Sequence, residues 1–163
     1  MSLGVLTVVI VGVMLADPDP ATTTTSGPPG VGPSTTIPPD PLAAFGTTTV
    51  EVSGELWDVA VAEEPRERVR GLMFVIDLGE LEGMLFVWEE DTTTSFWMKD
   101  TPLPLDIAFF AADGTLVDLL SMEPCQAEPC PYYYPVGPYR YALEASTGAF
   151  DAMDRPFLRV DSP

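Results

Sequence analysis

The chain has 163 residues, 46% of them apolar, which is enough for one core-forming domain and too few for two once its low-complexity stretches are set aside. Seven basic residues against 25 acidic ones give a net charge of -18, so its field repels phosphate backbones and anionic headgroups, and no nucleic-acid partner is expected. The absence of histidine excludes serine–histidine and cysteine–histidine catalysis and every histidine-ligated metal site.

Leu3 to Leu15 is an apolar run of 13 residues. As a helix it would span about 20 Å, against the roughly 30 Å of a bilayer core. The run fits the hydrophobic region of an export signal covering residues 1–16, with a retained membrane tether as the alternative, although no Lys or Arg precedes it. Asp17 to Pro41 then holds eight prolines, six threonines, two serines and three glycines. Such a composition cannot offset its ordering entropy by burial, so residues 17–44 are expected to be an extended linker and residues 45–163 the folded domain.

Thr47 to Ser53 and Leu56 to Ala62 alternate apolar and polar residues around Gly54, as a β-hairpin does. Glu63 to Gly71 reads as a short helix: acids and Pro65 open it, arginines fill its last turn and glycine closes it. Glu64 and Arg68 stand in the favourable i,i+4 order, so these arginines are read as helix surface rather than an anion site. Met84 to Trp88 and Ser95 to Met98 are apolar strands joined by an acidic, threonine-rich loop. Asp106 to Ala111 and Thr115 to Leu120 flank Asp113-Gly114, a strong hairpin signal. Tyr139 to Ala145 and Phe157 to Val160 supply the last strands, with a short helix expected from Thr147. About eight strands with one or two short helices make a single β-dominated α+β domain, curled like a barrel because many strand edges must be covered.

Cys125 and Cys130 lie in a proline-rich loop with four residues between them, the wrong spacing for a Cys-x-x-Cys redox motif. A disulfide is expected from the oxidising compartment that an export signal implies, with free buried thiols as the alternative. Met73, Met84, Met122 and Met153 are scattered among aliphatic strands and read as core filler. The acidic run Glu89-Glu90-Asp91 lacks the alternating ligands and central glycine of a calcium loop. No metal and no cofactor are expected.

Arg70-Gly71-Leu72-Met73, then Gly83-Met84-Leu85-Phe86-Val87-Trp88-Glu89-Glu90, then Phe96-Trp97-Met98-Lys99-Asp100-Thr101-Pro102-Leu103-Pro104-Leu105-Asp106-Ile107 follow one another in order. Asp113-Gly114, the two-cysteine loop and Tyr141-Ala142-Leu143-Glu144 with Gly148 come after them. This series closely resembles the family called domain of unknown function 192, over nearly all of Thr47 to Val160. The resemblance implies a compact β-rich domain, often behind an export signal or lipid anchor, and no established activity. The family usually carries asparagine where this chain has Asp100.

Within the central motif, an extended backbone turns Phe96 and Met98 to one side and Trp97 and Lys99 to the other. Lys99 is the only lysine in the chain. One reading makes it a structural pin, its stem over Trp97 and its ammonium paired with Asp100 or Asp106. The other makes Trp97, Lys99, Asp100 and Asp106 the lining of a ligand cleft, an apolar face ringed by polar groups of the kind that holds sugar rings. Tyr132-Tyr133-Tyr134 form a second contact surface or a packed cover for the cysteine loop. The leading expectation is an exported, non-enzymatic cell-envelope module binding a glycan-like polymer or a partner protein, with membrane contact only through an uncleaved amino-terminal segment. The alternative is a histidine-free hydrolase acting on envelope polysaccharide through Asp106 with Asp100 or Glu144.

Overall fold

The computed structural model describes residues 40–160. The export segment and most of the expected linker therefore lie outside the described residues. At the linker's end the structure differs from the expectation. Pro41–Ala44 form a 3-10 turn whose Leu42 amide donates to the Asp40 carboxylate at 2.9 Å. Leu42 and Phe45 are buried, and among the described residues they are the first large apolar side chains and cover the sheet.

Strands β1 (Gly46–Val52) and β2 (Glu55–Ala62) form the expected hairpin. Its two-residue turn takes Ser53 and Gly54 at positive φ, 52° and 93°, the conformation whose twist matches that of the flanking strands. Helix α1 (Pro65–Arg70) has proline in its first turn. The Glu67 carboxylate accepts from the Glu63 and Glu64 amides at 3.1 and 3.0 Å, satisfying donors that the helix start would otherwise leave open. The chain then crosses back through residues 71–82 so that β3 (Gly83–Thr92) runs parallel to β2.

The remaining strands are β4 (Phe96–Trp97), β5 (Leu105–Phe110), β6 (Leu116–Met122), β7 (Tyr132–Tyr133), β8 (Tyr139–Ser146) and β9 (Leu158–Arg159). Where a helix was expected from Thr147, residues 147–152 form consecutive turns, with Ala149 N donating to Ser146 O and Asp151 N to Gly148 O. Gly148 at φ 87° bars continuation into a right-handed helix. Seven strands make one curled sheet in the order β6-β5-β8-β3-β2-β1-β9, and β4 pairs with β7 in a second, small sheet. The edges of the large sheet meet at one end, where Thr115 bridges Phe157 and Leu158 N donates to Gly114 O at 3.0 Å. A Cβ on Gly114 would stand 1.9 Å from that Leu158 carbonyl, so only glycine permits this approach. The result is the half-closed, β-dominated architecture that the strand count implies.

Both faces of the sheet are buried. Val59, Leu85, Ala108 and Leu143 line one face together with Trp57, whose ring lies 5.4 Å from that of Phe150. Ala60, Met84, Phe86, Ile107 and Phe109 line the other, and Leu42, Leu72, Phe96 and Met122 cover it. Burial on two faces explains why every residue of β5 is buried and why, apart from Asp106, the strand is apolar instead of alternating.

Candidate functional site

The central motif lies over the second of these faces. Phe96 turns inward and meets Phe86 edge-on at 5.0 Å and Phe109 at 5.6 Å. The next residue points the opposite way, so Trp97 stands half-buried and stacks on Tyr132 of β7 with ring centroids 5.8 Å apart and planes 10° from parallel. The Lys99 ammonium lies 5.4 Å from the Trp97 ring and donates to the Glu128 carboxylate at 2.7 Å. That hydrogen bond holds the Lys99 pKa above its ordinary value and the Glu128 pKa below its own. Glu128 belongs to the loop closed by the Cys125–Cys130 disulfide and also accepts from the Cys130 amide at 3.2 Å.

Asp100 sits at φ 53°, in the left-handed region that asparagine and aspartate tolerate better than other side chains with a Cβ. Its amide donates to Cys125 O at 3.0 Å and its carbonyl accepts from Phe74 N at 2.8 Å. Its place is thus set by its backbone, a conformation open to aspartate and asparagine alike. Asp106 is elsewhere. Leu105 and Ile107 face the Phe96 side, so the pleat turns Asp106 to the opposite face, where its Oδ2 accepts from Gly148 N at 2.7 Å. Of the four residues expected to share a cleft, the structure brings together Trp97 and Lys99, joins Asp100 to them through the main chain, and separates Asp106 by the thickness of the sheet. Lys99 takes its partner from the cysteine loop, not from Asp100 or Asp106.

An open cleft of about 400 Å³ lies on the inner side of Trp97, between α1, the end of β3 and Tyr132. Arg68, Val69, Trp88, Thr94, Trp97 and Tyr132 form its walls. The Arg68 guanidinium lies 5.2 Å from the Trp88 ring and donates to Val87 O at 2.9 Å and to Glu63 O. No ion pair with Glu64 forms, and Arg68 has no carboxylate partner among the described residues. The Tyr139 hydroxyl donates to Thr94 O at 2.7 Å and so pins the loop that carries Thr94, while burial pushes its pKa upward.

Beside the cleft, sharing Arg68, Phe86 and Trp97 as walls, is a cavity of about 30 Å³ that Thr101 and Glu144 also line. Glu144 is 4% exposed. It faces this side because its sheet neighbours Met84 and Ile107 do. Burial pushes its carboxyl up to about 8, and no charged neighbour offsets that shift. Asp106 and Glu144 are therefore on opposite faces and cannot flank one substrate bond. Among the described residues no group of three acids or cysteines is arranged to hold a metal.

Reading the sequence alone missed Arg68, Trp88 and Thr94 as cleft residues. The sequence carried no strong signal for them, because α1 ends at Arg70 and buries none of its residues, so no apolar face marks the side on which Arg68 lies.

Comparison with solved structures gives a protein of unknown function from Novosphingobium aromaticivorans DSM 12444, with a TM-score of 0.65 and 24% identity, covering 83% of this chain and 94% of that one. A "putative transcription regulator" from Sinorhizobium meliloti 1021 aligns with a TM-score of 0.59 and 30% identity, covering 71% of this chain and 94% of that one. No curated protein matches the chain. The model of DUF192, described as uncharacterized ACR, matches residues 48–155, about two thirds of the sequence. With that match, the ordered motifs from Gly71 to Gly148 and the shared fold, the chain belongs to the DUF192 family.

Proposed function

We infer that this domain is an exported, cell-envelope binding module that holds a glycan-like polymer in the Trp97 cleft. The observation that carries the reading is the cleft itself. A Trp97–Tyr132 stack and Trp88 present aromatic faces across an open space of about 400 Å³, with Arg68, Thr94 and Ser95 as its polar groups. Aromatic faces with a few converging donors suit the apolar faces and hydroxyls of sugar rings. The Cys125–Cys130 disulfide supports an oxidising compartment. The regulator description of the S. meliloti protein does not transfer readily, because 25 acidic residues against seven basic ones oppose phosphate contact. Hydrolysis is the weaker reading: glycosidic chemistry needs two carboxyls about 5 to 9.5 Å apart across one bond, and Asp106 and Glu144 are split by the sheet.

The test is titration of the full chain with soluble envelope glycan oligomers, followed by tryptophan fluorescence. Saturable binding that falls at least tenfold in Trp97→Ala, with the melting temperature kept, supports the reading. Binding that is indifferent to Trp97 removes it, and binding of an envelope protein alone moves the function to a protein partner.

A further inference from the structure

The 30 Å³ cavity beside the cleft has its own chemistry. Its volume admits a group of about one or two heavy atoms. Glu144 lines it, 4% exposed, with no hydrogen-bond or ion-pair partner among the described residues. Thr101, likewise 4% exposed, lines it too. The Thr101 hydroxyl donates its proton to Lys99 O at 3.2 Å, so toward the cavity it offers lone pairs only. Arg68 and Arg70 line it as well, but their guanidiniums donate to Glu63 O, Val87 O and Pro41 O, so Glu144 and Thr101 are its uncommitted acceptors.

We propose that this cavity seats a primary ammonium group of the ligand, with Glu144 as its counter-ion and Thr101 as a second acceptor. The proposal deepens the binding reading above, since the cavity shares the walls Arg68, Val69, Phe86, Phe96 and Trp97 with the cleft. An ammonium carries three donors and no acceptor, which matches what the cavity offers. Guanidinium or trimethylammonium groups exceed the space. The net charge of -18 concentrates cations around the domain and excludes anions. The ligand class is thus an amine-bearing polymer, such as a glycan with free amino groups.

The other charged groups that line the cavity are the two arginines of α1. Arg68 is held over Trp88 and against Val87 O, and Arg70 donates to Pro41 O at 2.8 Å with its guanidinium over Phe45. Strands β3 and β5 present Met84 and Ile107 beside Glu144, and the β4 side presents Trp97 and Thr101. Free Glu144 is therefore neutral at pH 7 and must give up its proton when an ammonium enters. Apparent affinity then scales with the ionised fraction, so the dissociation constant rises about fivefold from pH 8 to 7 and about tenfold for each pH unit below 7.

The test uses the full chain and two pairs of probes, followed by tryptophan fluorescence. At pH 8.5, n-butylamine should bind at least tenfold more tightly than n-butyltrimethylammonium, and Glu144→Gln should remove that preference while keeping the fold. Between pH 8 and 6 the parent's affinity for n-butylamine should fall about 50-fold, and a flat profile would overturn the proposal. Equal binding of the two cations, or an affinity unchanged in Glu144→Gln, would also overturn it by reducing the effect to the protein's general field. Tetramers of glucosamine and N-acetylglucosamine separate the two readings. If both bind equally and both need Trp97, the cleft stands and the Glu144 subsite falls. If n-butylamine needs Glu144 while neither tetramer binds, the subsite stands and the glycan reading falls.

Discussion

Replacing Glu144 with glutamine changes stability in a way that depends on pH, and the size of the change follows from burial. The Glu144 carboxyl is pushed from 4.5 up to about 8 in the folded state, with desolvation as the cause. Below pH 4.5 both folded and unfolded chains hold the proton, and the group costs the fold nothing. Between the two values the unfolded chain ionises while the folded one does not, so stability falls by about 1.4 kcal/mol per pH unit. At pH 7 the loss is about 3 kcal/mol, and it levels off at roughly 5 kcal/mol above pH 8. Glutamine has nearly the same volume and never ionises, so Glu144→Gln avoids this loss. Urea denaturation of parent and variant at pH 5, 6, 7, 8 and 9, followed by tryptophan fluorescence, should show the variant's advantage growing from near zero to several kcal/mol. The parent's other carboxylates titrate equally in both proteins and cancel in the difference. A difference that does not vary with pH would mean that Glu144 is ionised or fully hydrated in the folded protein, and would refute the desolvation argument.

Chains beginning at Asp40 and at Phe45 should differ in stability by about 2 kcal/mol, because the shorter one loses buried Leu42; equal urea midpoints would show that the 3-10 turn contributes nothing. Thiol titration of unreduced, denatured protein should find no free sulfhydryl, since Cys125 and Cys130 are bridged, and two titratable thiols would contradict both the bridge and the oxidising compartment. Lys99→Met should leave the urea midpoint almost unchanged, because its partner Glu128 is 56% exposed and the pair is solvent-screened. A large drop in that midpoint would restore Lys99 as a structural pin.

The parts of the fold legible in the sequence are those fixed by local chemistry. Ser53-Gly54 and Asp113-Gly114 place two hairpins because the backbone there takes positive φ at Ser53, Gly54 and Gly114. Pro65 and Gly71 bound the helix because one lacks an amide proton and the other accepts φ 46°. The parallel pairing of β2 with β3 was not legible, since no local signal says which strand a 20-residue crossover returns to. Strand β7 is two residues long, and its pairing brings Tyr132 beside Trp97, far away in sequence.

The candidate site was legible only as far as its own strand segment reached. Trp97 and Lys99 share a side because they are two residues apart, and the pleat guarantees it. Placing Asp106 with them required the chain to return after Pro102 and Pro104 with the same face turned inward, and nothing in those residues fixes that parity. The β5–β8 register decides it, pairing Ile107 with Glu144 and Asp106 with Ala145. A slip of one residue would have turned Asp106 and Glu144 to a common face and made an acid pair of the kind hydrolysis needs. The observed register instead leaves Glu144 as a lone carboxyl beside the aromatic cleft and commits one Asp106 oxygen to the Gly148 amide. Whether this domain presents an acid pair or a single desolvated acid is thus settled by the register of two neighbouring strands, a property of their pairing that neither strand's sequence carries.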